Sequence, residues 1–452
     1  MSVPRRNDRR RRLAANPPPS GDSLRLPAGP RPPAAPSSAE RQRSPWPATG
    51  EKLPAVFLRA AVRQVLIYRK RVERVEAARP GDLVAVYGPE DELLGYGLFN
   101  SLSEIVVRML TFGAVLPDEA FWQGRLAAAV ELRRGMLRLD EAGSACRLVH
   151  AEGDGLSGLV VDRFADVLSA EAFSLGMYQR AEELLRRLAA LCGARHTLLR
   201  ASPQFLSQEG CEPPPLASPE LPRQVVVEEF GTRFRVQFSG GHKTGFFCDQ
   251  RDNRRRLADF CGGRSVLDLC CYSGGFAVQA KRLGGAAEVT GVDLDEEPLQ
   301  LARENARLNR VAARFVQADV FPYMRDMLAQ GRRYDVVVLD PPKLIRTRAE
   351  IEDGTRKHFD LNRLAMQLVA PGGLLLTCCC SGLLGDEEFR RLVAAAARQA
   401  GPPCGEPDAE GRRRHAPRTL QILSRTGAAA DHPVAANVPE GEYLKAIWAR
   451  LE

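Results

Sequence analysis

Metal-ligand spacing is missing from this chain. Its 11 cysteines and 6 histidines include no Cys-x-x-Cys, and no histidine stands at ligand distance from another. A structural zinc is therefore not expected. The cysteines (Cys146, Cys192, Cys211, Cys248, Cys261, Cys270, Cys271, Cys378, Cys379, Cys380 and Cys404) are odd in number and clumped. That pattern argues against a disulfide framework and for reduced thiols in a cytosol. No apolar run reaches the ~20 residues of a membrane helix, and the first residues hold no apolar signal core. The expectation is a soluble cytoplasmic protein with neither membrane nor metal partner. No internal repeat occurs. Gly-x-Gly-x-x-Gly is also absent, which disfavours a dinucleotide site with pyrophosphate on a helix N-terminus.

Charge imbalance is lacking too, once the first 52 residues are set aside. They carry 11 Lys and Arg against 4 Asp and Glu, and 11 of the 32 prolines. The formal net charge of +8 thus belongs almost wholly to a Pro-rich tail without apolar periodicity. Residues 1–52 are expected to be disordered, and a chain beginning near Leu53 to keep its melting temperature. Arg5, Arg6 and Arg9 to Arg12 can hold phosphate non-specifically, or simply be solvated.

A length of 452 residues suggests several domains. Short β-rich segments, such as Leu83 to Tyr87 and Ile105 to Met109, fill 53–115. A helix is predicted from Asp118 to Arg134, with an apolar stripe through Phe121, Leu126, Val130 and Leu132. Residues 116–225 read as a small α/β unit, with a strand at Gly158 to Asp162 and a helix near Met177 to Leu191. From about Val225 strand and helix alternate, so 226–452 is expected to form a doubly wound sheet.

Three apolar runs in that last region stop abruptly in carboxylates or glycines: Val266 to Gly275, Gly291 to Asp293, and Val338 to Lys343. Such runs are buried parallel strands, and ligands bind just outside their carboxyl ends. Asp293 lies where a ribose-binding carboxylate is expected, 18 residues after Gly275. A ribose without a pyrophosphate fits S-adenosylmethionine. The competing role for Asp293 is a helix N-cap, for which Asp295 is better placed. Asp319 can accept from an adenine amine or cap the helix that follows; the residues leave both open.

With these motifs in view, the chain resembles the bacterial large-subunit ribosomal RNA cytosine-C5 methyltransferases, of the class I S-adenosylmethionine-dependent type. The resemblance rests on Lys243 to Arg251, Leu267 to Phe276, Asp340-Pro-Pro-Lys343, Cys380-Ser-Gly382, Asp431-His-Pro433 and Pro439 to Lys445. Glu152 to Leu156 and Val160 to Arg163 extend it into the middle of the chain. It implies an N-terminal PUA-like RNA-binding domain, a small central α/β domain and a C-terminal Rossmann-like methyltransferase domain. It implies that the Lys243–Arg251 segment, with Gln250, packs over the cofactor. Asp268, Tyr272, Gly274, Asp293 and Asp319 would line the pocket, and Lys243, Arg251 and Lys343 would contact RNA. The implied partner is large-subunit ribosomal RNA, with a homodimer allowed. The chain departs from the pattern at His242, at Cys271 and near Gln64 to Ile67, where a His-Pro-aromatic run is missing.

Carbon 5 of a pyrimidine is a poor nucleophile until a thiolate adds at carbon 6. The run Leu374 to Gly382 reads as a buried strand with Cys378 and Cys380 on one face and Cys379 on the other. Only Cys380 lies at its end, so Cys380 is the expected nucleophile and the other two are core. Asp340, ahead of two prolines, can hold the ring nitrogen or amine of the base. The alternatives are guanine-N7 methylation, which needs no cysteine, and a non-catalytic RNA-binding or assembly factor. Gln250 and Cys380 argue against the former, Asp293 and Cys380 against the latter.

Overall fold

The computed structural model describes residues 43–238, 245–406 and 414–452. The Arg5–Arg12 cluster, His242 and Lys243 lie outside the described residues. Near the start is a six-stranded sheet. Its strands run in the order Leu66–Tyr68, Ile105–Phe112, Leu93–Phe99, Leu83–Tyr87, Ala55–Leu58 and Val72–Glu76. Val56, Leu58, Ile67, Val84, Val86 and Val107 close a core of its own beneath it.

The tail does not end where composition suggested. Trp46 and Leu53 pack against the core of the central domain. The Arg187 guanidinium lies 4.4 Å from the Trp46 ring centroid. Arg43 pairs with Asp82, and its backbone N–H donates to the Gln179 carbonyl at 3.2 Å. Residues 43–52 are thus a strap across the first two domains. Proline and charge hid it, because one tryptophan and one ion-pairing arginine are too few to show a period.

The helix Glu119–Glu131 is capped by Asp118, whose carboxylate accepts from the Phe121 amide. A single π-helical turn, Leu132–Met136, takes over its end. The buried side is Trp122, Leu126 and Ala129, continuing to Arg133. The expected stripe keeps Leu126, while Phe121 and Val130 flank the buried line and pack against its edge. The larger Trp122 takes the core, and Phe121 stays half-buried against its edge. Beside it the helix Leu175–Cys192 buries Met177, Ala181, Leu184, Leu185 and Leu188. Both helices cover a five-stranded sheet ordered Leu216–Ala217, His196–Ala201, Val167–Ala172, Leu159–Phe164 and Ala145–His150.

The alternation expected from Val225 begins later. Gln224–Glu229 and Thr232–Gln237 form an antiparallel hairpin, and a boundary at 226 falls inside its first strand. Its two-residue loop holds Phe230 at φ 48° and Gly231 at φ 76°, the backbone twist that tight hairpins favour. Asn305 and Asn309 then fasten it to the next domain, their Oδ1 atoms accepting from the Arg235 and Arg233 amides at 2.8 Å.

The C-terminal domain is α1 (Arg251–Ala258), β1 (Ser265–Leu269), α2 (Gly275–Arg282), β2 (Glu288–Asp293), α3 (Glu296–Leu308), β3 (Arg314–Gln317), α4 (Val320–Ala329), β4 (Tyr334–Leu339), α5 (Ile351–Leu368), β5 (Val369–Cys379), α6 (Asp386–Ala397), β6 (Leu420–Thr426) and β7 (Lys445–Leu451). The strand order is β3-β2-β1-β4-β5-β7-β6. The first five strands are parallel, and β7 runs antiparallel to both neighbours. Helices cover both faces, so the central strands are apolar on both sides. Leu267, Leu269, Val337, Leu339, Leu375 and Cys379 face α4–α6. Val266, Val336, Val338, Leu374, Leu376 and Cys378 face the other way. Among the described residues no helix is long and apolar enough to cross a membrane.

A chain shortened to begin at Arg43 should keep its melting temperature, whereas one beginning at Leu53 should lose about 1–3 kcal/mol. Thermal unfolding of the two, side by side, checks this; equal midpoints would show that the strap contributes nothing.

Candidate functional site

The order of the strands reverses between β1 and β4, and in such sheets the ligand crevice lies there, outside the carboxyl ends of the strands. The loop leaving β1 is strained. Cys270, Tyr272 and Gly274 sit at φ 62°, 48° and 77°, and two of the three pay the Cβ penalty of that region. Hydrogen bonds hold the loop in place. The Tyr272 amide donates to Asp293 Oδ2 at 2.7 Å. Asn305 Nδ2 donates to the Ser273 carbonyl at 3.0 Å. Gly274 is required for space as well as for φ, since a Cβ would lie 3.0 Å from the Ala302 methyl and 3.1 Å from the Phe315 ring.

Four carboxylates surround this loop. Asp268, fully buried on β1, accepts from the Ala277 amide at 3.0 Å. Its Oδ1 has no hydrogen-bond partner among the described residues. Burial pushes its pKa up to about 8 against the pull of that amide, and the charges of Asp340 and Asp293 add to the rise. Burial likewise drives the Cys270 thiol well up, helped by Asp293, Asp340, Asp268 and Asp319. A pocket in which neighbouring carboxylates raise Asp268 and Cys270 favours a cation. The sulfonium and ammonium of S-adenosylmethionine meet that demand, and the orphaned Asp268 oxygen marks where a donor fits.

At the other side of the crevice β4 ends in Asp340 and β5 in Cys380. The half-buried Cys380 Sγ lies 3.9 Å from the Pro341 carbonyl oxygen. Gln250 Nε2 donates to Asp340 Oδ2 at 3.1 Å. Cys378 is fully buried on the same face, and Cys379 on the opposite one, 3.6 Å from His358 Nε2. Burial, with Lys445 adding, holds the His358 pKa down to about 4, so this Cys–His contact is a neutral pair inside the core. Among the described residues no group of three or more His, Cys, Asp or Glu could hold a metal.

Comparison with known proteins agrees with this geometry. Residues 156–402 match the S-adenosylmethionine-dependent methyltransferase family, and 59–112 match a PUA-like domain. The Ribosomal RNA large subunit methyltransferase I of Aeromonas hydrophila is 37% identical over 392 residues, covering 85% of this chain and 94% of that protein. The protein of that name from Tolumonas auensis is 38% identical over 398 residues, with the same coverage, 85% and 94%.

The chain belongs to the ribosomal RNA large subunit methyltransferase I family.

Two solved structures share the fold. A SAM-dependent methyltransferase from Streptococcus mutans is 18% identical with a TM-score of 0.71, covering 87% of this chain and all of that one. A methyltransferase complexed with SAH is 19% identical with a TM-score of 0.70, covering 86% and 96%. The cofactor is S-adenosylmethionine.

In this methyltransferase Tyr272 meets Asp293, Gln250 meets Asp340, and Asp268 lies within reach of the charges of both Asp293 and Asp340. Asp293 is half-buried at the end of β2. Its Oδ1 accepts from the Asp295 amide at 3.2 Å. Asp295 occupies the cap position of α3 but makes no side-chain cap bond, so it is Asp293 that serves this turn. Asp319 caps α4, accepting from the Phe321 amide at 2.8 Å. Lys343 is exposed after the double proline.

Arg251, expected at an RNA surface, is 2% exposed. Its Nη1 and Nη2 donate to the two oxygens of Asp431 at 2.8 and 3.2 Å. A guanidinium fork matches a carboxylate as well as a phosphate, and here the carboxylate has it. Asp431 Oδ2 also accepts from the Arg147 amide at 2.8 Å, and the Asp431 carbonyl accepts from Arg133 Nη2 at 2.7 Å. Although burial opposes it, the His432 and Arg251 contacts hold the Asp431 carboxyl well below its usual range. Arg133 and Arg147 belong to the central domain, so Asp431 joins the two domains. The Asp-His-Pro motif was visible in the sequence, but nothing local named its partners.

Two outcomes follow. Asp293→Ala should weaken S-adenosylmethionine binding by about 1–3 kcal/mol in a folded protein; calorimetry giving wild-type affinity would exclude a ribose role. Asp431→Ala strands a buried guanidinium and should cost about 3–5 kcal/mol of stability, measured by denaturant unfolding.

Proposed function

We propose that this methyltransferase modifies carbon 5 of a cytosine in large-subunit ribosomal RNA through a covalent bond from Cys380. The substrate class follows from the name its relatives carry and from the PUA-like domain. The observation that carries the cysteine mechanism is the position of the half-buried Cys380, just past β5 and against the Pro341 carbonyl that follows Asp340.

Asp268, Tyr272, Gly274 and Asp293 would hold S-adenosylmethionine, with Asp319 near the adenine amine. The cofactor supplies an electrophilic methyl group. Cys380 adds to carbon 6, forming a C–S bond and pushing the ring electrons toward carbon 5. Asp340 holds the ring nitrogen or the exocyclic amine as charge builds there. After transfer a base removes the carbon-5 proton, the double bond returns and the thiolate leaves. An unperturbed thiol is only about 3% ionised at neutral pH, so a neighbour must take its proton. General base help of this kind is worth about 10² to 10⁴ in rate.

With 5-fluorocytosine in the RNA, carbon 5 has no proton to lose, and a stable protein–RNA adduct should accumulate on Cys380. Cys380→Ala should lose both adduct and methylation while still binding S-adenosylmethionine. Cys378→Ala and Cys379→Ala should keep activity, with some loss of stability from core packing. Normal methylation by Cys380→Ala would refute the cytosine-C5 mechanism and bring guanine-N7 forward.

A further inference from the structure

Behind Asp340 runs a file of hydrogen bonds with only one possible direction. It starts at Trp448 on β7, fully buried, whose Nε1–H donates to Thr426 Oγ1 at 2.9 Å. The Thr426 hydroxyl donates to Asn253 Oδ1 at 2.7 Å. Asn253 Nδ2 donates to Gln250 Oε1 at 2.7 Å and to the Gly427 carbonyl at 3.2 Å. Gln250 Nε2 then donates to Asp340 Oδ2 at 3.1 Å. Gln250 and Asn253 are 3% and 2% exposed, so water does not offer them substitutes.

The direction follows from which groups can only donate and which can only accept. An indole N–H is a donor and nothing else, and a backbone carbonyl only accepts. Thr426 therefore receives from Trp448 and must send its single proton to Asn253. Turning the Asn253 amide over would set its oxygen against the Gly427 carbonyl and its nitrogen against a hydroxyl proton. With Asn253 fixed, turning Gln250 over would face two NH₂ groups and set Oε1 against the Asp340 carboxylate. The Gly427 carbonyl fixes Asn253 and Asn253 fixes Gln250, whose amide also reaches the Cys378 thiol, although side-chain amides are usually ambiguous.

We propose that Trp448, Thr426, Asn253 and Gln250 are positioning residues that hold Asp340 Oδ2 as an obligate acceptor. Oδ2 then carries no proton during the reaction. This rests on the cytosine-C5 reading, in which Asp340 meets the ring nitrogen or amine of the base. A carboxyl free to carry its proton on either oxygen would present the wrong one part of the time. A donor from a buried, pre-aimed amide removes that freedom and favours the ionised form of Asp340. Gln250, placed by resemblance over the cofactor, acts on this view through Asp340.

The test compares Thr426→Val with Thr426→Ser. Valine keeps the shape and removes the hydroxyl; serine keeps the hydroxyl. Methylation and 5-fluorocytosine adduct formation are followed against pH on an unmodified large-subunit RNA transcript, with S-adenosylmethionine affinity measured alongside. Thr426→Val should lower kcat about tenfold or more, move one limb of the pH–rate profile upward and leave cofactor affinity unchanged. Thr426→Ser should restore rate and profile. Wild-type rate and profile in Thr426→Val would overturn the proposal, as would a slower rate with no pH shift, which is mere loss of packing. If Thr426→Val does not fold, Gln250→Glu decides. It sets a second carboxyl against Asp340, and the two must share a proton, so a limb should move by about a pH unit or more; an unmoved profile overturns the proposal. Absence of an adduct in the wild-type protein would instead count against the cytosine-C5 reading itself.

Discussion

The buried pair between Arg251 and Asp431 sets the placement of much else. Arg251 is the first residue of α1, and the residue before it is Gln250. Fastening the guanidinium to Asp431 fixes the start of that helix, and with it the amide that touches Asp340. Asp431 also receives the Arg147 amide and gives its carbonyl to Arg133, so the same carboxylate ties the central domain to the crevice. Tyr443 holds the same Cys248–Asn253 segment within the C-terminal domain, its hydroxyl donating to Asp249 Oδ2 at 2.6 Å. A buried ion pair is weak evidence of net stability, because desolvation offsets the attraction. What this one supplies is position. Once Arg251 is committed to a carboxylate, the segment from Cys248 to Asn253 has one place to go.

That placement sets Gln250 beside a crowd of neighbouring acids. Asp268, Asp293 and Asp340 raise the proton affinity of their surroundings, and the loop between Cys270 and Gly274 keeps an unfavourable backbone. Both costs fall at the carboxyl ends of the strands, and the packed sheet behind meets them. Strand alternation then sorts the three successive cysteines. Cys379 turns into the α5–α6 core beside a neutral histidine, Cys378 is sealed against the opposite helices, and Cys380 emerges past the last strand hydrogen bond.

Much of this was legible along the chain. Strands buried on both faces read as continuous apolar runs, and they stop where the crevice begins. That rule placed β1, β2 and β4, and so Asp268, Asp293 and Asp340. Period-two alternation assigned the cysteines their faces. Other features were hidden because their signal is a partner. Trp122 rather than Phe121 takes the core, since adjacent aromatics share a helical stripe until packing selects one. The segment from Arg43 to Lys52 reads as tail because one tryptophan makes no period. Asp295 looked the better cap, yet the turn after β2 points its amide at Asp293.

By itself the sequence determined the class of domain, where the buried strands end, the glycine turn and which of three cysteines lies past the last strand. These depend on local period and on residues a few positions apart. The tertiary structure alone decided whom each polar group meets. Arg251 finds its carboxylate 180 residues away, and Asn253 finds Thr426 at a separation of 173. A guanidinium or an amide has the same local pattern whether it faces RNA, water or a buried acid. Only folding the chain determines which of these it meets, because burial makes an unpaired polar group too costly to leave and so fixes its partner.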